Sequence, residues 1–516
     1  MKTKKKMLAA VLLAVLVCAV IGGVIWCITH FHFVDFHLYP KGMTVLDLRG
    51  QAISLEHHDK VQQKMPGTLI YWDIPFQGQR YPQDTKSLTV TALTDKDLAV
   101  LAHFPNLEQV EAQACTDYAQ LAQLKQQRPE VQVHYGVILG GESWSSDSTQ
   151  ITLGGIAQGE LDDLPYLPRL EQVYVTKGSG NNLMELQQYC REHGIAFGIQ
   201  VGEQTVPEDM QQVELLAIQQ EELPLLKLLT NMKTLRLVDP VAEPESILAL
   251  EQTYPGAQIS WEWDVGGVRV TSEDTEIDLS KATLTSVAQV EQAMSYFPKA
   301  QKVFLGDCGL DNDELAAYRD RVRQDYKVVW IVHCGPYLPT RTDATSFMPG
   351  RESNVPRFWD EDTYNLRYCE DMIAIDVGHQ GAVKNIDFVA YMPNLKYLIL
   401  AHTNVQDITP ISNCKNLVFL ELDWSPIRDY TPLQGCTSLE DLNIGQSGAD
   451  VTPLFEMPWL KNVWCIFRPG AAARLATALP NTHVVASGDA TVDSGWRNLP
   501  NYFAMRDALG MYYMKW

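Results

Sequence analysis

The C-terminal third of the chain repeats one order of apolar and polar positions every 22 residues. Three sets of leucine or isoleucine keep this spacing: Leu395, Leu417 and Leu439; Leu398, Leu420 and Leu442; Leu400, Leu422 and Ile444. An Asp-x-Thr-Pro motif follows each set, at 407–410, 429–432 and 450–453. A period of this length is typical of stacked coils, in which each unit buries its apolar face only against its neighbours. The pattern predicts a solenoid.

Each repeat contains a short alternating stretch, such as Leu398-Ile399-Leu400, that predicts a strand. Stacked coils align such strands into one parallel sheet. Thr-Pro then turns the chain, because proline fixes φ and cannot continue a ladder of hydrogen bonds. The predicted fold class is an α/β solenoid with a parallel sheet.

A longer period precedes these repeats. Phe104-Pro105-Asn106-Leu107 returns 63 residues later as Leu167-Pro168-Arg169-Leu170, and aromatic markers recur at 71–72, 135–136, 197–198, 262–263 and 329–330. Because 63 is three times 21, we interpret 41–335 as blocks of three coils. Apolar residues at helical spacing predict helices after Thr94 and Thr116 and over 183–189 and 287–297.

The N-terminus carries a second pattern, since residues 7–28 include no charged side chain. At about 1.5 Å per residue, a helix of this length spans a bilayer core of about 30 Å. Four lysines within 1–6 favour a cytoplasmic N-terminus. A cleaved signal peptide, the alternative, has a shorter apolar core. We expect a basic tail (1–6), an uncleaved transmembrane signal anchor (7–28) and a juxtamembrane linker (29–40).

Charge and cysteine content narrow the function classes. The net charge of −22 argues against nucleic acid as a partner, because an acidic protein repels the phosphate backbone. The ten cysteines include no CxxC pair, so no cysteine zinc site is expected. Cys414 and Cys436 share one repeat position, where buried thiols are expected. Strand spacing of about 5 Å also permits a disulfide between them.

The segment 372–466 resembles the internalin-type leucine-rich repeats. Their pattern, LxxLxLxxNxI followed by D-I-T-P-L, is matched by Leu395-Lys396-Tyr397-Leu398-Ile399-Leu400, Val405 and Asp407-Ile408-Thr409-Pro410-Ile411. The resemblance extends in weaker form over 41–335. It implies leucine-rich-repeat coils whose strands line a concave face, and recognition of a protein or glycan through that face. The family asparagine is replaced by Thr403, Ser425 and Ser447, which predicts a looser ladder between coils.

Strand residues between the repeat leucines are expected on the concave face. Their rows are Tyr397, Phe419, Asp441 and Asn462; Ile399, Glu421, Asn443 and Trp464; and His402, Trp424 and Gln446. Exposed aromatic side chains are typical of binding interfaces. The candidate partner-binding residues are therefore Tyr397, Ile399, His402, Phe419, Glu421, Trp424 and Trp464. The alternative is that the N-terminal coils or the loop 335–371 cover this face.

Two segments break the repeat. Residues 336–371 contain several prolines and the acidic run 360–362, and we interpret them as an irregular insertion, either a functional loop or a linker. The aromatic tail 467–516 is expected to cap the open end of the stack. A separate ligand site in this tail is the alternative.

Candidate chemistry is sparse. His30, His32 and His37 alternate just beyond the apolar run, and they are either metal ligands or polar residues of the membrane interface. His57 and His58 are expected to be exposed on a helix that begins after Ser54.

Three further carboxylates, Asp307, Asp311 and Asp313, lack the spacing of a calcium loop. The sequence contains no H-E-x-x-H, G-x-S-x-G or phosphate-loop motif. We therefore predict no catalytic residue, metal or cofactor, and no enzyme.

The predicted function is a binding module outside the cytoplasm, attached to the cell membrane by a single span over 7–28. It would recognise a protein or glycan at the cell surface through its concave face. The alternative is a structural scaffold of the cell envelope without a specific soluble ligand. The first predicts that the aromatic residues matter most, and the second that the anchor does.

Overall fold

The computed structural model of the chain describes residues 2–178, 180–335, 338–350, 358–488 and 494–511. Two compact units divide it, Met1–Leu235 and Arg236–Trp516, and the division falls within the strand Thr234–Val238.

A long helix, Lys2–His30, begins the first unit and joins the predicted basic tail and anchor into one element. Over Thr3–His30 its most apolar window has a mean hydropathy of 3.0 and no buried residue, so its length and composition suffice to cross a membrane. The predicted linker is instead an antiparallel hairpin of Phe31–Val34 and His37–Pro40. Asp35 and Phe36 close its two-residue turn with φ of 43° and 67°.

Short strands and helices alternate along the rest of the first unit. The α-helices are Leu55–Lys64, Asp95–Leu101, Tyr118–Gln127 and Asn181–His193, and the 3-10 helices are Gln158–Tyr166 and Leu223–Leu228. The strands are Val45–Asp47, Leu69–Tyr71, Asp73–Phe76, Gln79–Pro82, Ser87–Thr89, Gln109–Glu111, Gln132–His134, Gly136–Leu139, Glu142–Ser145, Gln150–Leu153, Gln172–Val175, Ala196–Val201, Gln204–Pro207 and Gln212–Leu216.

The second unit has the same alternation. Its α-helices are Pro244–Thr253, Val287–Met294, Asn312–Val322, Asp360–Thr363, Pro469–Ala478 and Pro500–Ala508. The 3-10 helices are Tyr364–Tyr368, Asp387–Tyr391, Thr409–Asn413, Thr431–Gly435, Thr452–Glu456 and Trp496–Asn498. Its strands are Gln258–Val265, Val268–Thr271, Glu276–Asp278, Lys302–Phe304, Lys327–Val329, Ile331–His333, Pro339–Arg341, Ser346–Phe347, Ala374–Asp376, Tyr397–Ile399, Phe419–Glu421, Asp441–Asn443, Asn462–Trp464 and His483–Val485.

The helix predicted after Thr94 begins where its capping residue indicates, whereas the one predicted after Thr116 begins at Tyr118 without a side-chain cap. Thr94 accepts a hydrogen bond from the Asp97 amide while Asp97 accepts one from the Thr94 amide, so each satisfies a donor that the helix leaves unpaired. Ser54 caps the next example in the same way by accepting from the His57 amide.

Antiparallel hairpins interrupt the parallel strands between residues 45 and 341. Their pairings begin at Asp73, Gly136, Gly198, Glu262 and Ile331, 62 to 69 residues apart, which is where the aromatic markers recur in the sequence. At Gly198 a Cβ atom would lie 2.4 Å from the Val206 carbonyl oxygen, so the close approach of the two strands requires glycine. The parallel sheet expected of the solenoid is therefore not continuous over 41–335, although strands that precede the hairpins pair in parallel, as Leu88 does with Val110 and Ile277 with Val303.

Residues 346–485 do form one continuous parallel sheet, with seven strands. Leu398 pairs with Leu420 and Leu420 with Leu442, which confirms the predicted register of the repeat. Two strands, Ser346–Phe347 and His483–Val485, extend this sheet beyond the predicted boundaries 372 and 466.

Part of the segment 336–371, which was predicted as an irregular insertion, has regular secondary structure. It contains two strands, a helical turn and a 3-10 helix. This part of the prediction is wrong because the coil lacks the leucine spacing of its neighbours but still pairs through Ser346 and Phe347. Pro336 and Pro356 lie outside the described residues.

Hydroxyl groups replace the family asparagine between coils. The Ser425 hydroxyl accepts from the Thr403 amide at 3.2 Å and donates to the Leu400 carbonyl at 2.7 Å. Backbone bonds from Leu400 and Leu422 to the next coil are both 2.8 Å long, so the backbone ladder is not loosened at these two steps. Cys414 and Cys436 are free, buried thiols, which decides between the two possibilities that the sequence left open.

Candidate binding surface

The strand rows predicted for the concave face are formed in register. Tyr397 pairs with Phe419 and Phe419 with Asp441, while Glu421 pairs with Asn443 and Asn443 with Trp464. Side chains of each row therefore lie side by side on the face of the sheet opposite the repeat leucines.

A C-terminal segment, residues 494–511, packs onto this face. The ring of Trp496 lies 4.7 Å from that of Phe419 and 5.2 Å from that of Trp464, measured between centroids. Trp464 also donates a hydrogen bond from Nε1 to the Ser494 hydroxyl at 2.7 Å. The buried cluster is completed by Ala374, Ile399, Ala401, Ile466, Tyr502, Met505, Leu509 and Met511.

Carboxylates and amides continue the covered face where the aromatic residues end. Asp441 accepts hydrogen bonds from Asn462 at 2.7 Å and from Asn501 of the C-terminal helix at 2.9 Å. Burial raises the pKa of Asp441, and these two bonds offset only part of that effect. Asp376 and Asn443 are also buried, and each accepts from the backbone amide two residues later. The segment thus covers polar as well as apolar strand residues.

Four candidate residues do not lie on an open surface. Ile399, Phe419, Glu421 and Trp464 are at most 6% exposed, and Tyr397 is half-buried. Their expected exposure is wrong, because the C-terminal segment covers the sheet. The alternative drawn from the sequence was that the N-terminal coils or the loop 335–371 bury the strand face. The tail is therefore a cover for the strand face as well as an end cap; Tyr512, Tyr513 and Trp516 lie outside the described residues.

The third predicted row, His402, Trp424 and Gln446, lies in the turns that follow the strands, where His402 and Trp424 are exposed and Gln446 is half-buried. The exposed residues His379 and Phe467 extend it, and we call these five residues the turn row. The imidazole of His402 is stacked between His379 at 4.6 Å and Trp424 at 5.5 Å, with interplanar angles of 16° and 14°. Trp424 is 52% exposed and Phe467 67%.

Every member of the turn row has left-handed backbone, with φ between 55° and 63°. The amide of His402 donates to the Asp423 carbonyl and that of Trp424 to the Gly445 carbonyl, at 2.8 and 2.9 Å. These bonds hold the turn despite the cost of a left-handed non-glycine residue. His379 and Phe467 were not predicted as members of this row, although they continue its spacing by 23 and 21 residues.

The other sequence candidates have structural roles. His57 and His58 lie on the predicted helix but are buried, at 6% and 8% exposure, so their expected exposure is wrong. Asp311 caps the helix Asn312–Val322, as its side chain accepts from the amides of Asp313 and Glu314. Asp307 pairs with His333 at 2.9 Å.

Among known proteins, similarity to this chain is found only at the level of solved structures. No family model and no curated protein matches this chain. Similar solved structures include internalin C2 from Listeria monocytogenes, with 24% identity over 23% of this chain and a TM-score of 0.19. This chain spans 63% of that structure.

Two further structures match over a longer range. An internalin from Listeria monocytogenes has 14% identity over 83% of this chain and 88% of its own, with a TM-score of 0.22. A leucine-rich-repeat protein from Leptospira interrogans has 12% identity over 83% of this chain and 97% of its own, also with a TM-score of 0.22. These are similarities to leucine-rich-repeat structures, and the repeat fold of this chain rests on its own strand register.

Proposed function

We propose that this protein is a membrane-anchored leucine-rich-repeat binding module that recognises a protein or glycan outside the cytoplasm through its turn row. The observation that carries the proposal is the stack of His379, His402 and Trp424 on an exposed turn. Aromatic side chains dominate the energy of many interfaces. This contact surface differs from the strand face that the sequence favours, because that face is covered.

The side chains of the turn row are ordered before a partner binds, which supports this choice of surface. Binding is weakened by the entropy that flexible side chains lose when they contact a partner. In the turn row the left-handed backbone and the ring stacking already fix His402 and Trp424. A partner would therefore meet rings that are already in place.

The anchor supports the proposed location. Lys2–His30 exposes apolar side chains along its length, and Phe33 and Phe36 of the hairpin that follows are also exposed. Aromatic residues at the end of a span are typical of the membrane interface. We propose a single span with the N-terminus in the cytoplasm and the repeats outside it.

The experiment uses the full chain in detergent micelles to capture cell-envelope proteins and arrayed glycans. We expect Trp424→Ala combined with Phe467→Ala to abolish capture. Phe503→Ala, which removes a ring that is 52% exposed on the C-terminal helix, is the matched control and should leave capture unchanged.

Two outcomes would redirect the proposal. If Trp496→Ala increases capture while the turn-row variant has no effect, the strand residues Ile399, Phe419, Glu421 and Trp464 bind the partner after the C-terminal segment leaves. If all of these variants behave like the original chain and only loss of 7–28 abolishes envelope association, the scaffold alternative is favoured.

A further inference from the structure

Two histidines and a carboxylate meet in the first unit. His58 and Asp59 lie on the helix Leu55–Lys64, and His103 lies in the turn after the helix Asp95–Leu101. Asp59 Oδ1 is 3.1 Å from His58 Nδ1 and 3.9 Å from His103 Nε2. One ligand atom of each residue lies within 4.8 Å of the other two.

We propose that His58, Asp59 and His103 bind a divalent transition-metal ion, with Zn²⁺ as the preferred ion. Two imidazoles and a carboxylate are ligands that zinc accepts, at bond lengths of about 2.0–2.2 Å. Tetrahedral geometry with such bonds separates ligand atoms by about 3.4 Å, which lies within the range of distances between these three groups. Water would complete the coordination.

A buried tryptophan packs against both imidazole rings. Trp72 has no exposed surface, and its ring is stacked on His58 at 4.0 Å with an interplanar angle of 10°. His103 meets the same ring edge-on at 5.9 Å. Since packing fixes the ring of His58 before any ion arrives, less entropy is lost on binding.

Two of the three ligand groups are also accessible to an ion from solvent. The Asp59 side chain is 57% exposed and that of His103 26%, so an ion reaches them from solvent.

Neighbouring histidines do not compete for this role. Both ring nitrogens of His57 are engaged, Nε2 with the Tyr39 hydroxyl at 2.6 Å and Nδ1 with Asp35 at 3.2 Å. The signal in the sequence was weak because Asp59 and His103 come from different coils, and only the fold brings them together.

The test is titration of the full chain in detergent micelles with Zn²⁺ alone, followed by calorimetry, and with Co²⁺, followed by its visible absorption. We expect one site per chain. His103→Ala and Asp59→Asn should each weaken Zn²⁺ binding by about 10-fold or more, since even outer-shell partners contribute about 10- to 100-fold. Both residues reach solvent, so both variants should fold.

Control variants separate this site from general histidine binding. His193→Ala and His32→Ala remove histidines outside the cluster and should leave the affinity unchanged. The proposal is overturned if the original chain binds no Zn²⁺ at micromolar concentrations. It is equally overturned if His103→Ala and Asp59→Asn, shown to be folded by circular dichroism, bind Zn²⁺ as the original chain does.

Discussion

The indole ring of Trp496 packs 4.7 Å from the phenyl ring of Phe419, so a residue of the C-terminal segment covers the centre of the repeat sheet. Phe419 is fully buried as a result. The pairing links the stability of the segment 494–511 to the availability of the strand face.

Trp496→Ala should release the C-terminal segment from the sheet. Removal of a buried tryptophan costs about 3–5 kcal/mol, and the free energy of unfolding measured with urea should fall by that order. Hydrogen exchange should show lost protection in 494–511 while the strands of 346–485 remain protected. Phe503→Ala is the control, since its exposed ring contributes little; equal loss in both variants would contradict the packing.

Trp424→Gly should be more stable than Trp424→Ala. Both changes remove the ring, but only glycine adopts φ of 58° without a steric cost, which is about 1–2 kcal/mol for other residues. Urea unfolding of the two variants measures the difference directly. A Trp424→Ala chain that is the more stable of the two would show that the left-handed turn is absent.

Asp343→Asn should lower stability at neutral pH and have no effect in strong acid. Burial by itself raises the pKa of Asp343, but hydrogen bonds from Arg341 and Lys302 outweigh it and hold the pKa well below its usual value. The folded state therefore binds the proton less readily than the unfolded state. This stabilisation is present above the unfolded pKa of 3.8 and is lost as the pH falls below it.

The expected loss for Asp343→Asn at pH 7 is about 1.5–3 kcal/mol, the contribution of hydrogen bonds to a charged group. Urea unfolding between pH 2 and pH 7 measures it. Asp84→Asn, at an exposed position, is the control and should show no such trend. A loss for Asp343→Asn that stays constant down to pH 2 would contradict the assignment.

Cys414 and Cys436 should resist alkylation in the native state. Burial raises their thiol pKa to about 11 and about 12. The reactive thiolate is then about 100-fold or more scarcer at pH 8 than for an ordinary thiol. Mass spectrometry after iodoacetamide treatment should find both unmodified until urea unfolds the chain, and half-buried Cys308 modified before them. A disulfide-linked 414–436 peptide would refute the free-thiol state.

The repeat sheet was predictable because its signal is local. Leu398, Leu420 and Leu442 recur at a fixed step, and that step alone places them in one row. The cover on the strand face was not predictable, because nothing in the spacing of Phe419 specifies that Trp496 returns to it. Coil-to-coil spacing describes neighbours, whereas this contact joins residues 77 positions apart.

For residues 41–335, the sequence predicted the length of the repeating blocks but not the direction in which all of their strands pair. Recurring markers such as Tyr135-Gly136 and Phe197-Gly198 gave the period near 63 residues. They could not show that an antiparallel hairpin begins at each marker, because aromatic residues suit both strand directions. His58 and His103 likewise required the fold, since no motif links them.

The recurring hairpins also determine how such a chain can change in length. A deletion of about 63 residues, from one hairpin to the next, removes a whole block and rejoins equivalent backbone positions. A deletion of a single coil would instead join positions that are not equivalent, so that an antiparallel hairpin would occupy the place of a parallel strand. Duplication or deletion would therefore add or remove whole blocks of three coils before residue 341. In the sheet beyond it, single coils of 22 residues could be added or removed.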